Sequence, residues 1–560
     1  MPKQRSELTV FSAWLCYSAP MYRVNAFIVV VAVLFLTPQE AQGYAMRIHT
    51  ELTDRSLPDD SWLLKQGTLS GVSITDLNQF RQWLYSQFNT QLKGELKTRF
   101  KKRYPTENSF DALAFREFLS LNSAPRRRIF GIDRIEARWQ INARKFLARS
   151  SADFDVDGRN QERLVYDRRT GRAKRSNGQP IPFDPSTLNM GRLKGLSSQA
   201  HAHYGLPIGL DFSDDPDVLK EDPKRFLIKT GFPDGPVLAM AADMSQMHTD
   251  LAMLAHLWGG GASRYLTLAF AGHAFHFTQD VGNQIHTVQV GSFGFFLDAK
   301  IQYWWRALIT AGGYLTSLKP WTAVGVGILR NHHVLIEQLT RLRFEEALGG
   351  HPTSPAIADV VLRLGQDDAE FSKILDKALQ NMVPGTFASV ITQALIEKSA
   401  PEGPTAYELM RDVGCGRISR YGFKVPDDND KQKIDLDLLL CLETDEDEAR
   451  LESLYVLQAT AFLRVVTALR RYDRELARYL TENKAAGAIP QILNRFAVAR
   501  LDMLDGAEQR RAKYLENPPQ QSAATLKAPS WLIGELLVLL LLAAVIGWRR
   551  RRAQALTSAP

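Results

Sequence analysis

The stretch Gly272-His-Ala-Phe-His-Phe-Thr-Gln-Asp-Val-Gly-Asn-Gln-Ile-His286 combines a helical pattern with side chains that bind metals. His276 and Asp280 are four residues apart in a predicted helix, so their side chains project from one face. Gly282 and Asn283 are expected to end that helix, and His286 can return to the same place from beyond it. Imidazole nitrogen and carboxylate oxygen are ligands that zinc takes. The alternative is an ion pair on a helix surface beside an unrelated histidine.

A second histidine–carboxylate pair follows in the segment Asn331-His-His-Val-Leu-Ile-Glu337. His333 and Glu337 are again four residues apart on a predicted helix, which gives a divalent cation two ligands from one face. His332 points to a different face of that helix, and we interpret it as a structural residue. The two pairs together favour a metal site over isolated surface ion pairs.

Helical periodicity dominates the rest of the chain, and alternating strand patterns are scarce. Of the 560 residues, 45% are hydrophobic and 23% are charged, which is typical of a folded protein and excludes a disordered one. We therefore predict a mainly α fold. The helices are expected at Leu77–Leu96, Ala112–Leu121, Ile135–Leu147, Val237–Trp258, Tyr265–Asp280, Asn331–Leu348, Ser354–Leu379 and Glu446–Leu480.

The spacing of these residues resembles that of the zinc-dependent phospholipases C and the related single-strand-specific zinc nucleases. In that family a histidine, three residues, an aspartate, five residues and a histidine are followed later by a histidine, three residues and an acid. His276, Asp280, His286, His333 and Glu337 match this pattern. The last acid is glutamate in the phospholipases and usually aspartate in the nucleases, so Glu337 favours the phospholipases. The resemblance implies a multi-helix zinc enzyme domain.

The N-terminal region reads as a removable leader. An apolar run, Ala26–Leu36, follows the short basic start at Met21, and small residues end at Gly43. We expect residues 1–43 to be a leader with a signal peptide beginning at Met21; an uncleaved anchor is the alternative. In the resembled family the amine and carbonyl of the first mature residue bind zinc, together with a nearby histidine. Cleavage after Gly43 would give those roles to Tyr44 and His49.

Another family ligand is a histidine followed by an aromatic residue, with a proline four residues after it. His203 and Pro207 fit this part of the pattern, although the acid of the family motif is missing. His201 remains an alternative ligand.

The family also uses an upstream aspartate as a zinc ligand or base. The run Ala152-Asp-Phe-Asp-Val-Asp-Gly158 offers Asp155, which we choose, and two neighbouring aspartates. This run also resembles the start of a calcium loop, but Leu164 stands where the closing glutamate should be.

The C-terminal region contains a predicted membrane span. Trp531–Trp548 is almost wholly apolar and Arg549–Arg552 follows it, so we expect an exported, single-pass protein whose tail alone is cytoplasmic. A bacterial periplasmic or cell-surface location fits this arrangement, and a removable sorting signal is the alternative. Cys415 and Cys441 could form a disulfide or be two small buried residues. The predicted segments are a catalytic domain at 44–400 with a polar insertion near 158–195, accessory helices at 401–516, a stalk at 517–529, the span at 530–548 and a tail at 549–560.

The resemblance implies up to three zinc ions and a water-activated hydrolysis of phosphodiester bonds. Asp155 and Asp280 would be catalytic, with Asp280 bridging two ions. The implied metal ligands are Tyr44, His49, Asp155, His201 or His203, His276, Asp280, His286, His333 and Glu337. The formal net charge of +8 suits a phosphate-bearing partner. A phospholipid is the leading substrate; single-stranded nucleic acid is the alternative, and a non-catalytic, membrane-tethered zinc-binding module is a third interpretation.

Overall fold

The protein is mainly helical. A computed structural model describes residues 46–70, 74–107, 110, 140–152, 165–167, 172–174, 226–227, 240–287, 290–291, 321–413, 445–482 and 487–516. The helices are α1 (Met46–Ser56), α2 (Ile74–Gln91), α3 (Gly94–Arg103), α4 (Ala143–Ser150), α5 (Ala241–Trp258), α6 (Ser263–Asp280), α7 (Gln284–Thr287), α8 (Trp321–Leu348), α9 (Pro355–Arg363), α10 (Ala369–Gln380), α11 (Phe387–Ser399), α12 (Gly403–Asp412), α13 (Asp445–Glu482) and α14 (Ala488–Glu516), with 3₁₀ turns at Leu64–Gln66 and Ala400–Glu402. This confirms the predicted helical class.

The strands within the described residues form three short antiparallel pairs. They are β1 (Thr68–Ser70) with β2 (Gln140–Asn142), β3 (Val165–Asp167) with β4 (Arg172–Lys174), and β5 (Phe226–Leu227) with β6 (Val290–Gly291). In the first pair Thr68 lies opposite Asn142, whose side chain then accepts a hydrogen bond from the backbone N–H of Arg144 and caps α4. The β1–β2 pair therefore fixes where α4 begins.

Helix α6 lies at the centre of the fold. It forms a hairpin with α5, because Gly259 adopts a left-handed conformation with φ 67° and the short link to Ala262 reverses the chain. Every residue of α6 is buried except Arg264, and the helix packs against α1, α4, α5, α11 and α13. A helix covered on all sides presents its few polar side chains to the interior. This is why His276 and Asp280 are buried.

Helix α13 joins the C-terminal region to this centre. The Tyr472 ring lies 5.0 Å from the Phe275 ring of α6, measured between centroids. The carboxylate of Asp473 accepts hydrogen bonds from the backbone N–H groups of Trp62 and Leu63 at 3.1 and 2.9 Å. Arg470 donates to the carbonyl of Ser56 at the end of α1. Helix α13 therefore contacts both α1 and α6.

Three predicted helices are not continuous in the structure. The segment Leu77–Leu96 spans the end of α2 at Gln91 and the start of α3 at Gly94. The segment Ser354–Leu379 contains two helices, because Asp368 accepts a hydrogen bond from the Phe371 N–H and starts α10 anew. The segment Ile135–Leu147 includes β2, and its helix begins only at Ala143. In these last two segments a capping side chain decides the boundary, and periodicity alone does not reveal it. The predicted helix Ala112–Leu121 lies outside the described residues.

Several predictions fall on other parts of the chain. Among the helices that the structure describes, none has the length and apolar character needed to cross a membrane. The leader, the stalk, the span at 530–548, the basic tail and both Cys415 and Cys441 lie outside the described residues, and the insertion near 158–195 is described only at β3 and β4.

Candidate metal centre

The first candidate site joins helices α1 and α6. His49, His276 and Asp280 have ligand atoms within 4.8 Å of one another, and all three residues are fully buried. The two oxygens of Asp280 face different histidines: Oδ1 lies 3.3 Å from His49 Nε2, and Oδ2 lies 3.2 Å from His276 Nε2. The carboxylate therefore lies between the two rings, whose centroids are 4.6 Å apart.

The other ring nitrogens are held by neighbouring oxygen atoms. His276 Nδ1 lies 2.8 Å from the carbonyl oxygen of Ser151, and His49 Nδ1 lies 2.5 Å from Gln279 Oε1. The amide of Gln279 is oriented because its Nε2 donates to Thr53 Oγ1 at 2.7 Å and to the His49 carbonyl at 3.3 Å. Each Nδ1 is therefore a hydrogen-bond donor, which fixes the ring orientation in the manner typical of metal-binding histidines.

This orientation makes the first site chemically suited to a cation. A neutral imidazole that donates from Nδ1 has a lone pair on Nε2. In the first group both Nε2 lone pairs then face carboxylate oxygens, which also carry lone pairs. Such an arrangement is favourable when a positive charge lies between them, as a bound metal ion or as an added proton on each ring. Two imidazoles and one carboxylate form a common donor set for zinc.

Gly272 allows Ser151, whose carbonyl oxygen is the partner of His276, to lie close to α6. A Cβ added to Gly272 would lie 2.5 Å from the Ser150 Cβ and 3.0 Å from the Leu147 carbonyl oxygen. Because Gly272 has no side chain, the end of α4 packs directly on α6, one turn before His276. The hydroxyl of Ser151 also accepts a hydrogen bond from Thr53 at 2.8 Å. Helices α1, α4 and α6 are thus fixed around the first group.

The second candidate site joins α7 and α8. His286, His333 and Glu337 are buried and also have ligand atoms within 4.8 Å of one another. Glu337 Oε1 lies 2.9 Å from His286 Nε2 and 2.9 Å from His333 Nε2. His333 and Glu337 are one turn apart on α8, so the predicted pair does share a face. The two imidazoles and the carboxylate converge on one point and could hold a metal ion.

A tight turn connects the two groups. Helix α6 ends at Asp280, and the Asn283 backbone N–H donates to the Asp280 carbonyl at 2.9 Å while its carbonyl accepts from the His286 N–H at 2.9 Å. Gly282 is required in this turn, because a Cβ there would collide with the side chain of Val465 on α13. The predicted helix break at Gly282 and Asn283 is present, and His286 lies in the short helix α7 rather than in a loop.

The predicted ligands divide into those that the structure brings together and those that it does not describe. The six residues of the two groups were all predicted as ligands. His49 joins His276 and Asp280 although its helix, α1, is far from α6 along the chain. Tyr44, Asp155, His201 and His203 lie outside the described residues. The ring of His332 packs against that of Tyr407 with centroids 4.6 Å apart and the planes tilted by 32°, and His332 belongs to neither group.

The residues that orient the metal-ligand side chains were not predicted from the sequence. Gln279 follows His276 by three positions on α6, so helical spacing places it on the same face and could have indicated it. Ser151 and Thr53 carry no comparable signal, because Ser151 contributes its backbone carbonyl and Thr53 acts through Gln279.

A further pair of buried histidines lies elsewhere along α5 and α6. The rings of His248 and His273 pack edge to face with centroids 5.4 Å apart. Burial lowers the pKa of His248 to about 3, and the neighbouring His273 and Arg500 act in the same direction. Neither histidine belongs to a candidate metal group in the part of the chain that the structure describes. His248 is therefore held neutral inside the fold.

Comparisons with protein-family models, with curated proteins and with solved structures give no match to this chain. The candidate site is therefore described from its geometry alone. The protein is mainly helical and contains two buried groups, each of two histidines and one carboxylate, that could hold metal ions.

Proposed function

We propose that this protein is a zinc-dependent hydrolase of phosphodiester bonds and that phospholipids are its substrates. The observation that carries the proposal is the pair of buried groups, His49 with His276 and Asp280, and His286 with His333 and Glu337. Both consist of ligand types that zinc takes. Adjacent divalent ions are a recurrent arrangement in enzymes that cleave phosphate esters.

The two oxygens of Asp280 face different histidines, so its carboxylate would be available to more than one ion. In the proposal His276 and His203, or His201, would be ligands of one ion, and His49 and the backbone of Tyr44 would be ligands of another. His286, His333 and Glu337 would hold a third ion. The roles of Tyr44, His201 and His203 rest on the sequence resemblance.

Zinc, when bound, would act as a Lewis acid on the phosphoryl oxygens and lower the pKa of a water molecule. In the proposal Asp155 orients that water or removes its proton. The water oxygen forms a bond to phosphorus, and the bond between phosphorus and the leaving oxygen breaks. The leaving oxygen gains a proton, so the products are an alcohol and a phosphate monoester. The buried histidines and carboxylates keep the ligand atoms in place without reorganisation.

Two features of the sequence support a lipid substrate. Glu337 is the acid that the resembled phospholipases use, and the predicted span at 530–548 would hold the enzyme beside a bilayer. The formal net charge of +8 suits a phosphate-bearing substrate of either kind. Single-stranded nucleic acid is the alternative substrate, and a protein that binds zinc without turnover is the third interpretation.

The first experiment measures zinc in the full-length protein and its hydrolysis of a chromogenic choline phosphodiester. We expect tightly bound zinc and measurable turnover, and we expect His276→Ala to lose the zinc of the first group, to keep that of the second, and to lose activity. His351→Ala is the matched control, because His351 is exposed and belongs to neither group. A folded wild-type protein that contains no zinc and takes none up would overturn the proposal.

The second experiment identifies the substrate. The zinc-loaded protein is incubated with phosphatidylcholine vesicles and with single-stranded DNA side by side. Release of phosphocholine from the vesicles supports the phospholipase. Cleavage of DNA alone would replace it with the nuclease. Stoichiometric zinc without hydrolysis of either substrate would leave a zinc-binding module.

A further inference from the structure

Three side-chain amides connect the turn between the two metal groups to helix α13. Asn283 and Gln284 belong to the turn that leads from Asp280 to His286, and Gln458 lies on α13. All three residues are fully buried. Helix α13 lies in a region where the sequence offered no motif, so its contact with this turn is unexpected.

The direction of each hydrogen bond in this amide chain can be assigned. Gln284 Nε2 lies 3.0 Å from Glu402 Oε2 and 3.0 Å from the carbonyl oxygen of Leu457, and both of these atoms are acceptors. The Gln284 nitrogen is therefore fixed as the donor, and its Oε1 faces Gln458. Gln458 Nε2 must then donate to Gln284 Oε1, at 2.8 Å.

The same nitrogen of Gln458 also contacts the preceding residue of the turn, Asn283. It lies 3.4 Å from Asn283 Oδ1, which also accepts from the backbone N–H of Ile285 at 3.4 Å. A single amide nitrogen on α13 thus contacts two consecutive side chains of the turn. Glu402, the far end of the amide chain, is held by Arg464 of α13, with Nη1 and Oε1 2.9 Å apart.

The turn itself has little freedom to rearrange. Its backbone is closed by hydrogen bonds from Asn283 to Asp280 and from His286 to Asn283, each 2.9 Å long. His286 is two residues after Gln284, so a movement of Gln284 is transmitted to His286. The first group depends on different supports, because Gln279 and the Ser151 carbonyl hold its histidines.

We propose that Gln458 is a positioning residue for the second metal group. Its hydrogen bonds within the described residues go to Gln284 and Asn283 rather than to a ligand, so it fixes the turn and sets where His286 meets His333 and Glu337. The inference rests on the proposed function only in that the second group binds a metal ion. It assigns to α13 a role in metal affinity that the sequence resemblance does not contain.

The test measures zinc affinity at each group separately with the full-length protein. His276→Ala disables the first group and leaves the second, whereas His286→Ala disables the second and leaves the first. Gln458→Leu is added to each of these backgrounds, and zinc affinity is measured by competition with a chromogenic chelator. We expect Gln458→Leu to weaken zinc binding about 10–100-fold in the His276→Ala background and to leave it unchanged in the His286→Ala background.

Two further variants separate positioning from general destabilisation. Gln458→Glu keeps the shape but places an acceptor against Gln284 Oε1, so it should also weaken the second group; it supplies the measurement if Gln458→Leu does not fold. Thr467 lies on the same helix, away from the turn, and its hydroxyl accepts a hydrogen bond from the Asp368 N–H at 2.8 Å. Thr467→Val removes this acceptor. It should lower stability without changing either zinc affinity.

The outcomes distinguish this inference from the proposed function. Equal loss of zinc affinity in both backgrounds, or no loss in the His276→Ala background, would overturn the role of Gln458 and leave the hydrolase proposal intact. Selective loss at the second group in a protein that cleaves no phosphodiester would support Gln458 and reject the hydrolase. Absence of zinc from both backgrounds and from the wild type would overturn both.

Discussion

Gly272 lies so close to Ser150 that a Cβ on the glycine would come within 2.5 Å of the serine Cβ. This contact brings the end of α4 against α6, where Ser151, the residue that follows α4, presents its carbonyl oxygen to His276 Nδ1 at 2.8 Å. The distance between two helix backbones therefore determines how one candidate metal ligand is oriented.

Gly272→Ala is expected to lower the free energy of unfolding by about 1–3 kcal/mol, because the added methyl group must push α4 away from α6. The same displacement should weaken zinc binding at the first group, since it withdraws the acceptor from His276. Urea unfolding and zinc titration measure the two effects. Gly365→Ala is the control, because a Cβ there meets nothing within 4 Å. An unchanged zinc affinity in a destabilised Gly272→Ala protein would show that the α4 contact does not orient His276.

Gln279→Leu should lower zinc affinity at the first group about 10–100-fold, because His49 Nδ1 loses its acceptor and the ring is free to rotate. Competition with a chelator in the His286→Ala background gives the affinity of this group alone. Gln393→Leu removes a half-buried glutamine whose side chain, within the described part of the chain, bonds to Glu397 in the next turn of α11, and it should leave zinc binding unchanged. Equal affinities for the two variants would contradict the role given to Gln279.

His248 should make stability sensitive to acid. Its pKa is lowered by burial from 6.5 to about 3. Between these pH values His248 binds a proton in the unfolded chain but not in the folded protein. The stabilising contribution is complete above pH 6.5 and is lost as the pH falls from 6.5 towards 3. Over this window the unfolding free energy should fall by up to about 1.4 kcal/mol per pH unit for this one group.

The measurement is urea unfolding of the chelator-treated protein at several pH values, with His248→Gln compared with the wild type. We expect a shallower pH dependence in His248→Gln, whatever its stability at pH 7. His351→Gln, which replaces an exposed histidine, should keep the wild-type slope. Parallel curves for His248→Gln and the wild type would show that His248 is not held neutral.

Asp473→Ala should destabilise the protein by about 1–3 kcal/mol, because the backbone N–H groups of Trp62 and Leu63 lose their acceptor inside the fold. Thermal and urea unfolding measure the loss. Asp359→Ala is the control, since Asp359 is exposed and its ion pair in the described part of the chain is with the exposed Arg363 on the same helix. A similar small effect for both variants would mean that water replaces Asp473 readily.

Four of the six ligands of the candidate groups were recognisable from the sequence because they form two local pairs with helical spacing, and His286 was recognised from its position after the helix break. His276 with Asp280 and His333 with Glu337 are four residues apart, so one turn of helix is enough to bring them together. The placement of His49 beside Asp280 came from the family resemblance. Nothing local in the sequence indicates that α1 packs on α6.

The supporting structure could not be predicted in the same way. Gln458 reaches the metal-ligand turn from α13, and its partner Gln284 is 174 residues away along the chain. The acceptor for His276 is a backbone carbonyl, which any residue type would supply. Such contacts depend on tertiary packing, and single-sequence patterns describe only what is near along the chain.

The attachment of α1 to α13 also sets the order in which the molecule can be assembled. Leu63 and Asp473 are 410 residues apart, and Ser56 and Arg470 are 414 apart. Closing so long a loop is entropically costly and slow, and it must await synthesis of α13. A nascent chain that already carries all six candidate ligands therefore still lacks the surface that anchors the end of α1. We expect metal uptake to be completed late, after translation has passed Asp473, and partially synthesised chains to hold zinc weakly.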